Sequence, residues 1–189
     1  MRNAVTAVLV SLPLLLGAAG SASAQEGFDA ARAAGTHILM RHAVAPGTGD
    51  PAGFTLGDCS TQRNLSEEGR AQARRVGDRL REAGVAIDTV LASQWCRSSE
   101  TAELLGFGPV MAAPELNSFF AVRGKRAAQT DALKARLAEL DAAGRKAALV
   151  SHQVNITALT GIYPASGEIV VIALGEGGNV TVEGRIRTD

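Results

Sequence analysis

A chain of 189 residues with 19 basic and 19 acidic side chains has room for one domain with a full hydrophobic core and carries no bulk charge. That balance excludes the basic stripe that nucleic-acid binding usually needs, so no nucleic-acid partner is expected. Any local positive field has to come from a few placed arginines.

The first two dozen residues read as a leader. Arg2 gives a positive start, Ala4 to Leu16 is almost wholly apolar, and Ala22-Ser23-Ala24 has the small-x-small pattern of a signal-peptidase site. The apolar run is short for a bilayer span, which takes about 20 residues. Residues 1–24 are therefore expected to be a signal peptide cleaved after Ala24. Residues 25–189 would form one periplasmic or secreted domain with no stable membrane insertion. An uncleaved N-terminal anchor is the competing reading. Arg2 leaves with the leader, so the mature chain has a net charge of −1. In an exported protein the two cysteines, Cys59 and Cys96, read first as a disulfide. Such a bond would contribute roughly 3–4 kcal/mol by closing its loop.

After the leader, a small helix is expected over Phe28–Ala34, followed by a buried strand Thr36–Arg41 that ends in Arg41-His42-Ala43. Residues 43–61 form a long loop carrying Pro46, Gly47, Gly49, Pro51, Gly53 and Gly57, and loops of this length are usually functional or disordered. Ser66 is a good N-cap for a helix that runs to about Ala83, with Ala73, Val76 and Leu80 at helical spacing and Gly84 as the stop. A second strand is expected over Val85–Leu91, then polar residues through Cys96-Arg97, and a short helix Ser98–Leu105 closed by Gly106. Pro109–Ala113 reads as a brief strand and Pro114–Arg126 as a loop. Thr130 is expected to cap a helix bearing Leu133, Leu137 and Leu140 as core, ending at Gly144. Ala147–Ser151 is a third strand stopping at His152, with a short helix over Asn155–Gly161. Glu168–Leu174 and Asn179–Ile186 read as an antiparallel hairpin. Strands alternating with helices predict a three-layer α/β/α sandwich on a largely parallel sheet.

Three of these strands end in chemistry: Arg41-His42, Arg97 and His152. Ligands of open α/β sheets bind at the carboxyl ends of strands. Guanidinium forks match phosphate oxygens, and an imidazole between them can be a nucleophile or a proton carrier. The pattern resembles the histidine phosphatase superfamily, the phosphoglycerate-mutase-like fold. The resemblance rests on Arg41-His42-Ala43, on Leu65-Ser66-Glu67-Glu68-Gly69-Arg70-Ala71-Gln72-Ala73, on Ser93 to Ala102 with Arg97 and Thr101-Ala102, and on Val150-Ser151-His152, in the family's order.

The resemblance implies that His42 is a nucleophile taking the phosphoryl group as phosphohistidine, with Arg41, Arg97 and His152 on the phosphate oxygens. It also implies a glutamate in a Leu-x-Glu pattern as general acid, and here that stretch is Leu116-Asn117-Ser118. Another branch places an acid after the second histidine, where this chain has Gln153. Glu115, one step outside the pattern, is the tentative acid, with Asp50 and Asp58 as alternatives and a solvated loop carboxylate as the bland reading of Glu115. Arg63 is a tentative further phosphate contact or a surface loop arginine. His37 is expected to be a satisfied structural histidine, and Phe54, Phe119 and Phe120 either line the mouth of the site or pack in the core. Asn155 orients His152 or caps the helix after it.

The leading expectation is an exported phosphoric monoester hydrolase that acts on a phosphorylated small molecule or a cell-envelope phosphosugar. It would need no cofactor, since three histidines and two bonded cysteines offer no metal-ligand set. The competing class is a phosphate or phosphosugar-binding protein that kept the arginines and lost turnover; a scaffold without ligand is a weaker third.

Overall fold

A computed structural model describes residues 19–188, with side chains from Gln25 onward. Residues 1–18 of the expected leader lie outside the described residues. The elements in chain order are α1 (Ala19–Arg32), β1 (Thr36–Arg41), α2 (Glu67–Glu82), β2 (Thr89–Ala92), α3 (Cys96–Leu105), β3 (Val110–Ala112), α4 (Arg126–Ala142), β4 (Ala147–Ser151), α5 (Gln153–Thr160), β5 (Ile169–Leu174) and β6 (Val180–Ile186). Among the described residues, no helix is long and apolar enough to cross a membrane.

The six strands form one sheet in the order β3-β2-β4-β1-β5-β6. Parallel pairs join β3, β2, β4 and β1, while β5 runs antiparallel to both β1 and β6. The sheet is thus largely parallel with a C-terminal antiparallel hairpin. Alternation along the buried strands divides the core in two. Ile38, Met40, Val90 and Val150 face Ala31, Val76, Leu80 and Leu105 on α1, α2 and α3. Leu39, Leu91, Leu149 and Val170 face Leu133, Leu137, Leu140 and Ile156 on α4 and α5. Those two faces give the expected three layers, because successive side chains of a strand point to opposite sides.

Local chemistry explains most element ends. Ser66 Oγ accepts the Gly69 N–H at 3.0 Å and so caps α2, while Glu67 and Glu68 lie in its first turn, where acidic side chains favour the helix dipole. The helix then passes close to two backbones. A Cβ on Gly69 would lie 2.1 Å from the Val44 carbonyl oxygen, and one on Gly77 would lie 2.2 Å from that of Leu105. Only glycine lets α2 approach the loop after β1 and the end of α3 so closely.

Several boundaries differ from the sequence expectation. The first helix begins at Ala19 and runs on through the Ala24–Gln25 bond to Arg32. The second strand begins at Thr89, because the Val85 N–H bonds to the Leu80 carbonyl at 3.0 Å and Val85 packs with the end of α2. Thr130 lies inside α4, where its hydroxyl donates back to the Arg126 carbonyl at 2.8 Å and so caps nothing. The loop after Ala113 contains two single-turn helices, Pro114–Leu116 and Arg123–Lys125.

Candidate active site

The sheet order makes β2, β4 and β1 consecutive, so the three reactive strand ends are neighbours. In register, Arg41 lies beside Ser151 and Ala92 beside Val150. Past those pairs the His42 N–H bonds to the Ser151 carbonyl at 3.0 Å, and the Ser93 N–H to that of Val150 at 2.9 Å. Arg41, His42, Arg97 and His152 therefore open into one pocket of about 130 Å³, together with Arg63, Asp50, Ser118, Phe120, Gln153 and Tyr163.

His42 is 2 % exposed, and its Nδ1–H donates to the Ala43 carbonyl at 2.8 Å. That bond assigns the proton to Nδ1 and leaves the lone pair on Nε2. Burial pulls its pKa down to about 3; the bond to Ala43 opposes this, and Arg97, Arg41 and Arg63 reinforce it. The Ala43 N–H is in turn held by Thr101 Oγ1 at 3.0 Å, which ties the nucleophile candidate to α3. His152, fully neutral for the same reasons of burial and nearby positive charge, has its pKa well below the usual imidazole range. Its Nε2 lies 2.8 Å from Ser93 Oγ and 3.4 Å from Ser98 Oγ, and its ring meets His42 edge-on at 5.5 Å between centroids.

The guanidiniums are held from behind. Arg41 Nη1 donates to the Pro164 carbonyl at 3.0 Å, and burial lowers its pKa. Arg97 is 3 % exposed on the first turn of α3. The Nε–H groups of Arg41 and Arg97 are buried without an acceptor in the protein. Two such donors beside a neutral imidazole suit an oxyanion, since a buried unsatisfied donor costs about 1–3 kcal/mol. Arg63 uses Nε on the Gly49 carbonyl at 2.7 Å and Nη1 on that of Ala45, so it braces the loop while lining the pocket. Burial and Arg97 lower its pKa to about 10.

Asp50, an alternative acid in the sequence, sits on Arg97, a pairing that sequence reasoning missed. Asp50 bridges both terminal nitrogens of Arg97, at 2.6 Å from Nη1 and 3.2 Å from Nη2, and accepts the Trp95 indole N–H at 3.0 Å. Burial pushes its carboxyl up, but the bonds from Arg97 and Trp95 outweigh that, and its pKa ends below the usual range. Trp95 stacks on Phe54 at 5.0 Å and meets the edge of His152 at 5.5 Å. Its place inside the Ser93–Ala102 motif, as the chain's only tryptophan, was the available signal.

Glu115 is placed elsewhere. It accepts from Arg136 Nε of α4 at 2.7 Å and is absent from the pocket lining, so its carboxylate serves the α4 contact and not the acid role. Asp58 is exposed and caps the single-turn helix Cys59–Thr61 through Ser60. Ser118, at the glutamate position of the Leu-x-Glu pattern, does line the pocket, but as a hydroxyl. Asn117 beside it is a strut: its side-chain oxygen accepts the Gln94 N–H at 2.8 Å, and its carbonyl accepts Asn155 Nδ2 at 2.8 Å. Asn155 therefore neither orients His152 nor caps α5. Phe119 is buried and Phe120 is exposed at the mouth. His37 is a satisfied structural histidine, with Nδ1 accepting the Ala147 N–H at 3.2 Å and Nε2 donating to Asp141 at 3.0 Å. Cys59 and Cys96 are bonded, which fastens the loop carrying Asp50 and Arg63 to the residue before Arg97. No group of three or more His, Cys, Asp or Glu side chains among the described residues is arranged to hold a metal ion.

The family model of the Histidine phosphatase superfamily (branch 1) matches residues 37–121, the stretch that carries Arg41, His42, Arg63 and Arg97. Over that span the chain is similar to the histidine phosphatase superfamily. Curated relatives include the mitochondrial serine/threonine-protein phosphatase Pgam5 of Drosophila virilis, 37 % identical over 68 residues. The Drosophila persimilis protein of the same name is 42 % identical over 68 residues. Each match takes in 36 % of this chain and 21 % of the relative, so the chain spans about a fifth of those proteins. Among solved structures, the protein histidine phosphatase SixA complexed with tungstate superposes with a TM-score of 0.59 at 20 % identity, over 81 % of this chain and 97 % of that one. A mycobacterial glucosyl-3-phosphoglycerate phosphatase gives 0.55 at 18 % identity, over 78 % and 93 %. These structures share the fold of this chain.

Proposed function

We propose that the chain is an exported phosphatase hydrolysing phosphomonoesters through a phosphohistidine on His42. The observation that carries this reading is the His42 ring: buried, neutral, with its proton committed to the Ala43 carbonyl and its free Nε2 among the guanidiniums of Arg41, Arg97 and Arg63. Nε2 attacks phosphorus as the ester P–O bond breaks and the leaving group departs with that electron pair. Water then cleaves the N–P bond, releasing phosphate and restoring the imidazole. Arg41, Arg97 and His152 hold the equatorial oxygens, where charge spreads in the transition state. Arg97 reaches phosphate only as Asp50 yields its place.

A departing alkoxide needs a proton. Asp50 is the one carboxylate among the pocket-lining residues, and on Arg97 its pKa lies below the usual carboxylate range, so it comes off that guanidinium without a proton to give. Substrates with leaving groups that are stable as anions are therefore favoured, aryl over simple alkyl phosphates. For the same reason the protein phosphoserine and phosphothreonine substrates implied by the name of Pgam5 are not carried over to this chain. Export is supported by the leader pattern and by the Cys59–Cys96 bond, which persists in oxidising compartments. The substrate would then be a phosphorylated small molecule or a cell-envelope phosphosugar.

The test is aryl phosphate turnover by the mature protein beside His42→Ala, with base-quenched trapping of labelled phosphohistidine. Turnover and label lost together in the variant support the reading, whereas equal background rates in both would sink it. A second reading, a phosphate or phosphosugar-binding protein, is favoured by the Asp50–Arg97 lock and by Ser118 at the acid position; equal rates accompanied by vanadate binding would establish it instead. Mass measurement of the exported chain is expected to start at Gln25.

A further inference from the structure

Beside the phosphate pocket runs a second, wider groove of about 590 Å³, and the two share Phe120, Gln153, Val154 and Tyr163 as lining. One wall is the segment Phe119 to Arg126 and the other is the exposed side of α5, through Val154, Thr157 and Ala158. At the junction stand two exposed aromatic side chains, Tyr163 at 71 % and Phe120 at 42 % exposure. Farther along the first wall, Arg123 and Arg126 face the groove, and no carboxylate lines it. Neither arginine forms an ion pair or a side-chain hydrogen bond with another described residue; Arg123 only covers the Phe120 ring, at 5.7 Å. Arg70, Arg81 and Arg136 find carboxylates, while the exposed Arg74 and Arg75 of α2 form no ion pair among the described residues. What sets Arg123 and Arg126 apart is that both line one concavity that holds no carboxylate.

We propose that this groove is the leaving-group subsite and that it selects phosphomonoesters whose leaving group is a ring bearing a second anionic group. The proposal rests on the phosphatase reading above. With phosphate on Arg41 and Arg97, the ester oxygen faces the shared rim, and the ring lies between Tyr163 and Phe120. A carboxylate or second phosphate then reaches Arg123 and Arg126. Aromatic faces accept both aryl and saccharide rings, and guanidiniums bind either anion through charge-assisted bonds.

Two pairs of probes distinguish the ring types. The first is 4-carboxyphenyl phosphate against its methyl ester, and the second is glucose 1,6-bisphosphate against glucose 1-phosphate. The expected result is at least a tenfold lower KM for the charged member of one pair, and that pair names the ring. The preference ratio should fall to within twofold of unity in Arg123→Ala/Arg126→Ala and invert in Arg123→Glu/Arg126→Glu. Both residues are exposed, so these variants are expected to fold, which circular dichroism checks. Titration calorimetry on His42→Ala with the same probes gives the ratio without turnover. A preference seen there in a wild type that turns nothing over would retain the subsite and discard the phosphatase reading. Ratios near unity in both pairs, or ratios untouched by the arginine substitutions, would overturn the subsite.

Discussion

Asp50→Asn tests whether phosphate has to displace a resident carboxylate. In the structure Asp50 takes both terminal nitrogens of Arg97, and its side chain is 17 % exposed against 3 % for Arg97. An incoming oxyanion must break at least the short 2.6 Å bond to use that guanidinium. Hydrogen bonds involving ionised groups contribute about 1.5–3 kcal/mol and neutral ones about 0.5–1.5 kcal/mol. Asparagine keeps an oxygen near Arg97 but loses the charge, so the lock weakens by about 1 kcal/mol or somewhat more. That corresponds to roughly fivefold to tenfold tighter oxyanion binding. Repulsion between Asp50 and a phosphate dianion on the same guanidinium acts in the same direction. The assay is inhibition of aryl phosphate turnover by vanadate or phosphate, with calorimetry on the unliganded protein. A second readout follows from linkage: without ligand the variant should melt lower, because buried Arg97 has lost its counter-charge, and saturating vanadate should raise its melting temperature more than that of wild type. Equal or weaker oxyanion affinity in a folded Asp50→Asn protein would refute the displacement argument and make Asp50 a helper that orients Arg97.

Acidification should destabilise the protein through its site histidines. His42 has a folded pKa of about 3 against an ordinary 6.5, so its stabilising contribution is complete above about 6.5 and drains away as pH falls toward 3. The slope approaches about 1.4 kcal/mol per pH unit for such a group; urea melts at pH 7 and 5 should show a smaller loss in His42→Ala, and parallel losses would contradict the burial argument. Replacing Cys59 and Cys96 by serine should cost about 3–4 kcal/mol, read from urea melts, while intact mass of the exported wild type under non-reducing alkylation should show no free thiol. Gly69→Ala should lower stability by about 1–3 kcal/mol despite alanine's better helix propensity, because its Cβ would lie 2.1 Å from the Val44 carbonyl oxygen. An unchanged melting temperature in that variant would mean that α2 can shift freely.

The parts of the site that were legible in the sequence are those attached to strand ends. Arg41-His42, Arg97 and His152 each follow a short apolar run, and the sheet order β2-β4-β1 brings those ends side by side. That order is long-range pairing, and no local signal encodes it. Periodicity misled at Val85, because an apolar residue after a glycine stop serves the end of a helix as readily as the start of a strand. It misled at Thr130 too, where a good cap residue spends its hydroxyl on the carbonyl four residues back. Asp50 and Glu115 show the harder limit. Both are loop carboxylates near motif residues, and only the three-dimensional course of the loops puts one on Arg97 and the other on Arg136.

The two halves of the pocket are thus built by different means. The proposed nucleophile and the arginines beside it come from the sheet edge and the first turns after it, where His42 is bonded to the Ser151 carbonyl and the Ala43 N–H to the Thr101 hydroxyl. The proposed leaving-group half comes from loops: Ser118, Phe120 and Tyr163 at the rim, and the segment holding Asp50, fastened by the disulfide. A proton donor would have to come from that second half, and the carboxylate found there is bound to a guanidinium. Because Asp50 leaves that guanidinium without a proton, the proposed chemistry at His42 depends on the leaving group's own stability as an anion, and substrate choice falls to whatever the loop half can grip.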